Sequence, residues 1–216
     1  MFNRISAHCF KYLRQHVVLT GLGSATFTSA LEATCEVYGY FDRQFSEGIL
    51  DSWTSSEEQC FSFPCLDISN CYLTSVKEAN GPKIAFKKGV DLCGILCGMA
   101  IGNGTCAYVH TKENEVQYIT SCRDRNGTLM SLSRIFTYPN LNSHRNIRFQ
   151  PCEPQTFCNS DIVQVQLSFV IIPVKGGHHK MLTILRSIAL LDKSFSQIST
   201  QKSDTSLEPK KTSILK

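Results

Sequence analysis

Eleven cysteines and six histidines are the side chains in this sequence best suited to chemistry, and neither set falls into a pattern that performs it. The cysteines stand at 9, 35, 60, 65, 71, 93, 97, 106, 122, 152 and 158. A structural zinc site favours two close cysteine pairs separated by a longer loop. The shortest interval here is Cys93-x-x-x-Cys97, inside an apolar run. His144, Cys152 and Cys158 could bring three zinc ligands out of one polar stretch, and His178-His179 comes after two glycines where a ligand is conceivable. The first set lacks paired spacing, and adjacent histidines on a helix point in different directions. No metal and no other cofactor is therefore expected. An odd cysteine count leaves one thiol over even after complete pairing. Two readings of the cysteines stay open. One is reduced cysteine used as a small hydrophobe. The other is a disulfide framework in a secreted glycoprotein, with Asn103-Gly-Thr and Asn126-Gly-Thr as its glycan acceptors.

Catalysis by a nucleophile needs a base within hydrogen-bond reach and a group behind it to orient the base. The histidines at 8, 16, 110, 144, 178 and 179 are scattered, and none stands in a recognised nucleophile context. There is no Gly-x-Ser-x-Gly elbow, no phosphate-binding glycine loop and no complete dinucleotide fingerprint; Gly21-Leu22-Gly23 lacks the third glycine. Glu57-Glu58 and the pair Glu113 and Glu115 read as solvated turns rather than paired catalytic carboxylates. The chain is expected not to be an enzyme. Its net charge of +4 is modest, and only Lys87-Lys88 and Lys210-Lys211 are clustered, so a nucleic-acid partner is not indicated.

The elements that would position these residues are mainly β. A length of 216 residues with 42% apolar and 19% charged residues suits one medium domain. Residues 1–31 carry Arg4, Lys11 and Arg14 and no acid, a weak signal peptide or presequence whose apolar centre is broken by Thr20, Gly21 and Gly23. No run of about 18 apolar residues exists, so no membrane partner is expected. Residues 3–20 fit a short amphipathic helix or strand. Leu31–Phe41 is rich in β-formers (Val37, Tyr38, Tyr40, Phe41). Thr105–Thr111 and Val116–Cys122, around the polar tip Lys112-Glu113-Asn114-Glu115, predict a hairpin. Residues 142–160 predict a long loop. Asp161–Val174 predicts a strand, with Val163, Val165, Leu167 and Phe169 alternating with polar residues until Pro173. Met181, Leu182, Leu185, Ile188 and Ala189 recur at helical spacing and predict a helix over 178–195. Residues 196–216 are Ser/Thr/Lys-rich and predict a disordered tail.

Several of these segments resemble the Abitram (Simiate) family of actin-binding transcription modulators. The resemblance is carried by Cys106-Ala-Tyr-Val, Tyr118-Ile-Thr-Ser-Cys122, Gly127-Thr-Leu-Met130, Ile135, Pro139-Asn-Leu141 and the closing Phe169-Val-Ile-Ile-Pro173. Upstream, Lys83-Ile-Ala-Phe-Lys-Lys-Gly89 resembles the family's basic segment. The likeness spans roughly the last two-thirds of the chain and leaves the N-terminal third unmatched. It implies a barrel-sandwich hybrid, similar to biotinyl/lipoyl-type domains and the glycine-cleavage H protein. Residues 83–177 would form the core, 1–82 its N-terminal part and 178–195 a C-terminal helix. It implies a non-enzymatic, cytoskeletal interaction protein of nucleus and cytoplasm, with actin as partner and self-association into a homo-oligomer allowed. Lys83, Lys87 and Lys88 are the candidate contact for an acidic actin surface. The alternative implied by the same likeness is a carrier domain with its cofactor on Lys112. The Glu-x-x-Lys context of such lysines is missing, since the neighbours are His110-Thr111 and Glu113-Asn114.

Overall fold

The computed structural model of the protein describes residues 12–54, 63–87, 89–92, 94, 96, 107–122 and 148–195. It is mainly β with mixed sheets and one long helix, and the described strands do not close into a barrel. The chain divides into two compact units. One is drawn from Met1–Lys87, Asp91–Val116 and Gln166–Ser187, the other from Lys88–Val90, Gln117–Val165 and Ile188–Lys216.

In the first unit, β1 (Arg14–Thr20) and β2 (Cys65–Cys71) pair antiparallel from Arg14 opposite Cys71 to Thr20 opposite Cys65. That register sets Gln15, Val17 and Leu19 against Asn70, Ile68 and Leu66 on one face. Because side chains alternate along a strand, the other face carries Arg14, His16, Asp67 and Ser69. Ile68 and Leu185 are fully buried, with Leu66, Leu73, Val116 and Met181 nearly so. Each such side chain is worth about 1.5–3 kcal/mol of burial. The N-terminal third, unmatched by the resemblance, thus supplies two strands of this sheet.

Between them lies α1 (Ala25–Asp42), entered through Leu22 and Gly23, both at positive φ. The β-formers over Leu31–Phe41 lie on this helix. Phe27, Leu31, Thr34, Tyr38 and Phe41 recur every three or four residues, while Ala30, Glu32, Ala33 and Glu36 favour helix. The period of the wider window outweighs local propensity.

Two short strands, β3 (Thr74–Ser75) and β4 (Tyr108–Val109), pair antiparallel. A 3-10 turn comes next, at Lys112–Asn114. In the second unit β5 (Gln117–Cys122) pairs with β6 (Arg148–Pro151), Ile119 opposite Pro151. The expected hairpin of 105–111 with 116–122 therefore does not form: β4 bonds to β3 and β5 to β6. The reason is that the tip is not a solvated turn, since Thr111 and Asn114 are buried. Within the expected loop, β6 and a 3-10 turn at Pro154–Thr156 are ordered, and Gln155 Nε2 donates to the Gly89 carbonyl at 2.7 Å.

The strand expected over Asp161–Val174 is present as β7 (Ile162–Pro173). After it, Gly176 and Gly177 both take positive φ and reverse the chain. The segment beyond them is not the expected helix over 178–195 but β8 (His179–Asp192), a strand that pairs with β7. The apolar run satisfies helical and strand spacing alike. The double-glycine reversal decides between them, because it lays this segment along β7. β2 joins β8 in parallel, with Ser69 opposite Ile184. In the second unit Ile188, Ala189 and Leu190 are buried, and Ser121 Oγ donates to the Leu191 carbonyl at 3.3 Å. No described helix is long and apolar enough to cross a membrane.

Candidate functional site

The basic segment runs beside the 3-10 turn. Lys83 forms an antiparallel bridge with Thr111, and the Ile84 N–H donates to the His110 carbonyl at 2.9 Å. Lys87 Nζ lies 2.6 Å from Glu115 Oε1 and is paired with it. The structure thus brings Lys83 and Lys87 to one turn; Lys88 lies outside the described residues.

The turn itself is fixed from three sides. Asn114 Oδ1 accepts from the Thr111 N–H and hydroxyl, both at 3.0 Å, and its Nδ2 donates to Thr74 Oγ1 at 2.7 Å. Gln15 Nε2 donates to the Asn114 carbonyl at 3.1 Å. Asn70 Nδ2 reaches the carbonyls of Glu113 and Leu185, at 3.0 and 3.2 Å. Arg186 donates to the Glu113 carbonyl at 2.8 Å and pairs with its carboxylate at 3.0 Å. Gln15, Asn70, Thr111 and Asn114 are all buried, and buried polar groups are costly unless paired. Here each has found a partner. Lys112 is left exposed at the tip.

His110 closes the inner side. Its ring stacks on Phe86 with centroids 4.1 Å apart. Its Nδ1 lies 2.8 Å from the Tyr72 carbonyl, and since a carbonyl only accepts, the nitrogen is the donor. Burial lowers the His110 pKa, opposed by the Tyr72 carbonyl and Glu115. The Tyr72 carbonyl and the Phe86 ring that hold the imidazole give this arrangement a structural role. The signal for it in the sequence is Thr111-x-x-Asn114, a variant of the capping box.

A concave feature lies in the same unit. It is a cavity of about 300 Å³ walled by Trp53, Leu66 and Met181, with Arg14, Asp67 and Lys180 also lining it. Two histidine–aspartate pairs stand at these walls: His16 Nε2 is 2.7 Å from Asp67 Oδ1, and His178 Nδ1 is 3.6 Å from Asp51 Oδ1. Ser69 Oγ accepts from Arg14 at 3.3 Å.

The remaining candidates are dispersed. His178 precedes β8 and His179 begins it, so no helix starts here, and His179 packs against Phe45 with centroids 4.8 Å apart. Cys152 and Cys158 carry free thiols, as do Cys35, Cys65 and Cys71. Burial raises the Cys152 pKa, which disfavours the thiolate a metal needs. Among the described residues no group of three or more His, Cys, Asp or Glu side chains is placed to hold a metal ion. His144, Asn103, Asn126, Glu57, Glu58, Cys93 and Cys97 lie outside the described residues. No family model, curated protein or solved structure matches this chain.

Proposed function

We propose that this chain is a non-enzymatic interaction protein that binds actin through the surface around Lys83 and Lys112, acting on actin organisation and transcription in nucleus and cytoplasm. The observation that supports the reading is the immobilised turn at Lys112–Asn114. Binding costs less when the contacting loop is ordered beforehand, and this turn is held by buried Gln15, Asn70 and Asn114. Lys112 projects from it, and Lys83 is bridged to Thr111 next to it. Lys87 is engaged by Glu115, so contact with an acidic surface centres on Lys112, with Lys83 beside it. The partner's name comes from the sequence resemblance, and so does the barrel-sandwich architecture.

Co-sedimentation of the full chain with filamentous actin is the direct test. Pelleting that weakens as salt rises, and weakens again in a Lys83→Glu/Lys112→Glu variant, is the expected result. No pelleting at any salt, or pelleting that ignores the charge reversal, overturns the reading. The exposed position of Lys112 on a fixed turn also favours the carrier alternative. An intact mass of the cellular protein equal to that of the bare chain removes it.

A further inference from the structure

Independently of the actin reading, β7 is an edge strand among the described residues. Its part in the first unit, residues 166–173, is bonded on one side to β8. The other side of β8 is taken. There the His179 N–H donates to the Ile49 carbonyl at 2.8 Å, the Asp51 N–H donates to the His179 carbonyl at 2.7 Å, and β2 joins at Ile184. Backbone groups alternate between the two edges of a strand. The Val174 N–H donates to the His178 carbonyl at 2.8 Å, so Val174 faces β8. By alternation Leu167, Phe169, Ile171 and Pro173 present their backbone to the far edge. Among the described residues no backbone group bonds to that edge.

Two further features agree with an open edge. Pro173 has no N–H to give, and proline in a sheet belongs on an edge, where the missing donor breaks no ladder. No residue of β7 is buried, whereas Met181 and Leu185 of β8 are. An open edge is a template for another strand, and proteins commonly guard it with charged side chains or by keeping the strand very short. β7 runs for 12 residues without one charged side chain, and Val170 is exposed on it. Pro173 guards only its end.

We infer that the far edge of β7 pairs with the same edge of a second copy of this chain, antiparallel about a two-fold axis at Phe169. In that register Phe169 meets its own copy and Leu167 meets Ile171, each pair exchanging N–H and C=O bonds. Pro173 falls outside this ladder. A two-fold axis sets the same surface against itself, so a charged edge would repel its copy and this neutral one does not. An uncharged strand also has nothing that selects a foreign strand of opposite charge. Leu167, Phe169 and Ile171 share one face of β7 and are half-buried. Directly opposite its copy, each Phe169 ring covers the other.

Sedimentation of the full chain over a wide range of concentration tests the pairing. The expected result is a reversible equilibrium between monomer and dimer. Amide exchange read by NMR locates the contact. The N–H groups of Leu167, Phe169 and Ile171 should exchange about tenfold or more slowly in the dimer than in the monomer, and those of Ser168 and Val170, bonded to β8, should change less. Val170→Lys alters one exposed side chain and sets like charges on either side of the axis. It should weaken the dimer by about tenfold or more with circular dichroism unchanged. A chain that is monomeric at every concentration overturns the proposal. So does a dimer in which those amides exchange as in the monomer, or one that forms equally well in Val170→Lys. Amides already slow in the monomer would place another part of the same chain on this edge, and overturn it too.

Discussion

Asn114 shows how much one side chain can hold. It accepts from the N–H and hydroxyl of Thr111, both buried, and donates to the half-buried Thr74. Truncation in Asn114→Ala strands those partners without water. An orphaned buried group costs about 1–3 kcal/mol, and two would be left at Thr111, so a loss of about 2–6 kcal/mol in urea unfolding is expected. A loss below about 0.5 kcal/mol would mean the turn is not held in this way. His110, next to it, makes stability depend on pH. Its pKa is lowered in the folded state from an ordinary 6.5, with burial as the main cause. Above that value the ring is neutral both folded and unfolded, and its contribution is fully present. As pH falls through it, the unfolded chain takes up a proton that the folded chain refuses, so stability declines until the folded ring titrates too. Urea midpoints between about pH 7.5 and pH 5 should fall, and the slope should shrink in His110→Gln. An unchanged slope in that variant would assign the pH dependence to other groups.

Among the elements, β8 is where sequence pattern and structure part most clearly. Met181, Leu185, Ile188 and Ala189 repeat as a helix would, yet the segment is a strand of 14 residues. The pattern was ambiguous because nearly every position from Met181 to Leu191 is apolar or small, which fits either period. The deciding residues lay just outside it: Gly176 and Gly177, at φ of 89° and 82°. Residues other than glycine resist that conformation. Replacing both by alanine should destabilise the protein by about 2–4 kcal/mol, about 1–2 for each. Were 178–195 helical, alanine before it would be neutral or stabilising, and a rise in melting temperature would argue for that. β7 was legible for the opposite reason, since its strict alternation of Val163, Val165, Leu167 and Phe169 excludes a helix. The polar turn at 111–115 was read as solvated because charges flank it. Nothing in the local sequence reveals that Gln15 and Asn70, on strands far away in the chain, close over it. Such long-range pairing is the part of a site that residue types and spacing do not carry.

For the whole molecule, the cysteine count poses a question of compartment that the described thiols can answer by their differing access. Cys35 and Cys158 are exposed, Cys71 and Cys152 are half-buried, and Cys65 is fully buried; all five are free. Thiolates react and thiols do not, so both access and pKa order the rates. Burial raises the Cys152 pKa, against a hydrogen bond from Thr156 and the charge of Lys193 that lower it, and its thiol should lag behind equally accessible ones. Brief alkylation of the native protein at neutral pH, then unfolding and a second, mass-distinct reagent, should therefore place the first label on Cys35 and Cys158. Cys65 should carry only the second label, and Cys152 should carry mostly the second. The contrary result is specific as well. If Cys35 and Cys158 take neither label until a reductant is added, they are oxidised in the cell-derived protein. The disulfide-stapled, secreted reading would then displace an actin partner in nucleus and cytoplasm, because a reducing compartment does not sustain such bonds.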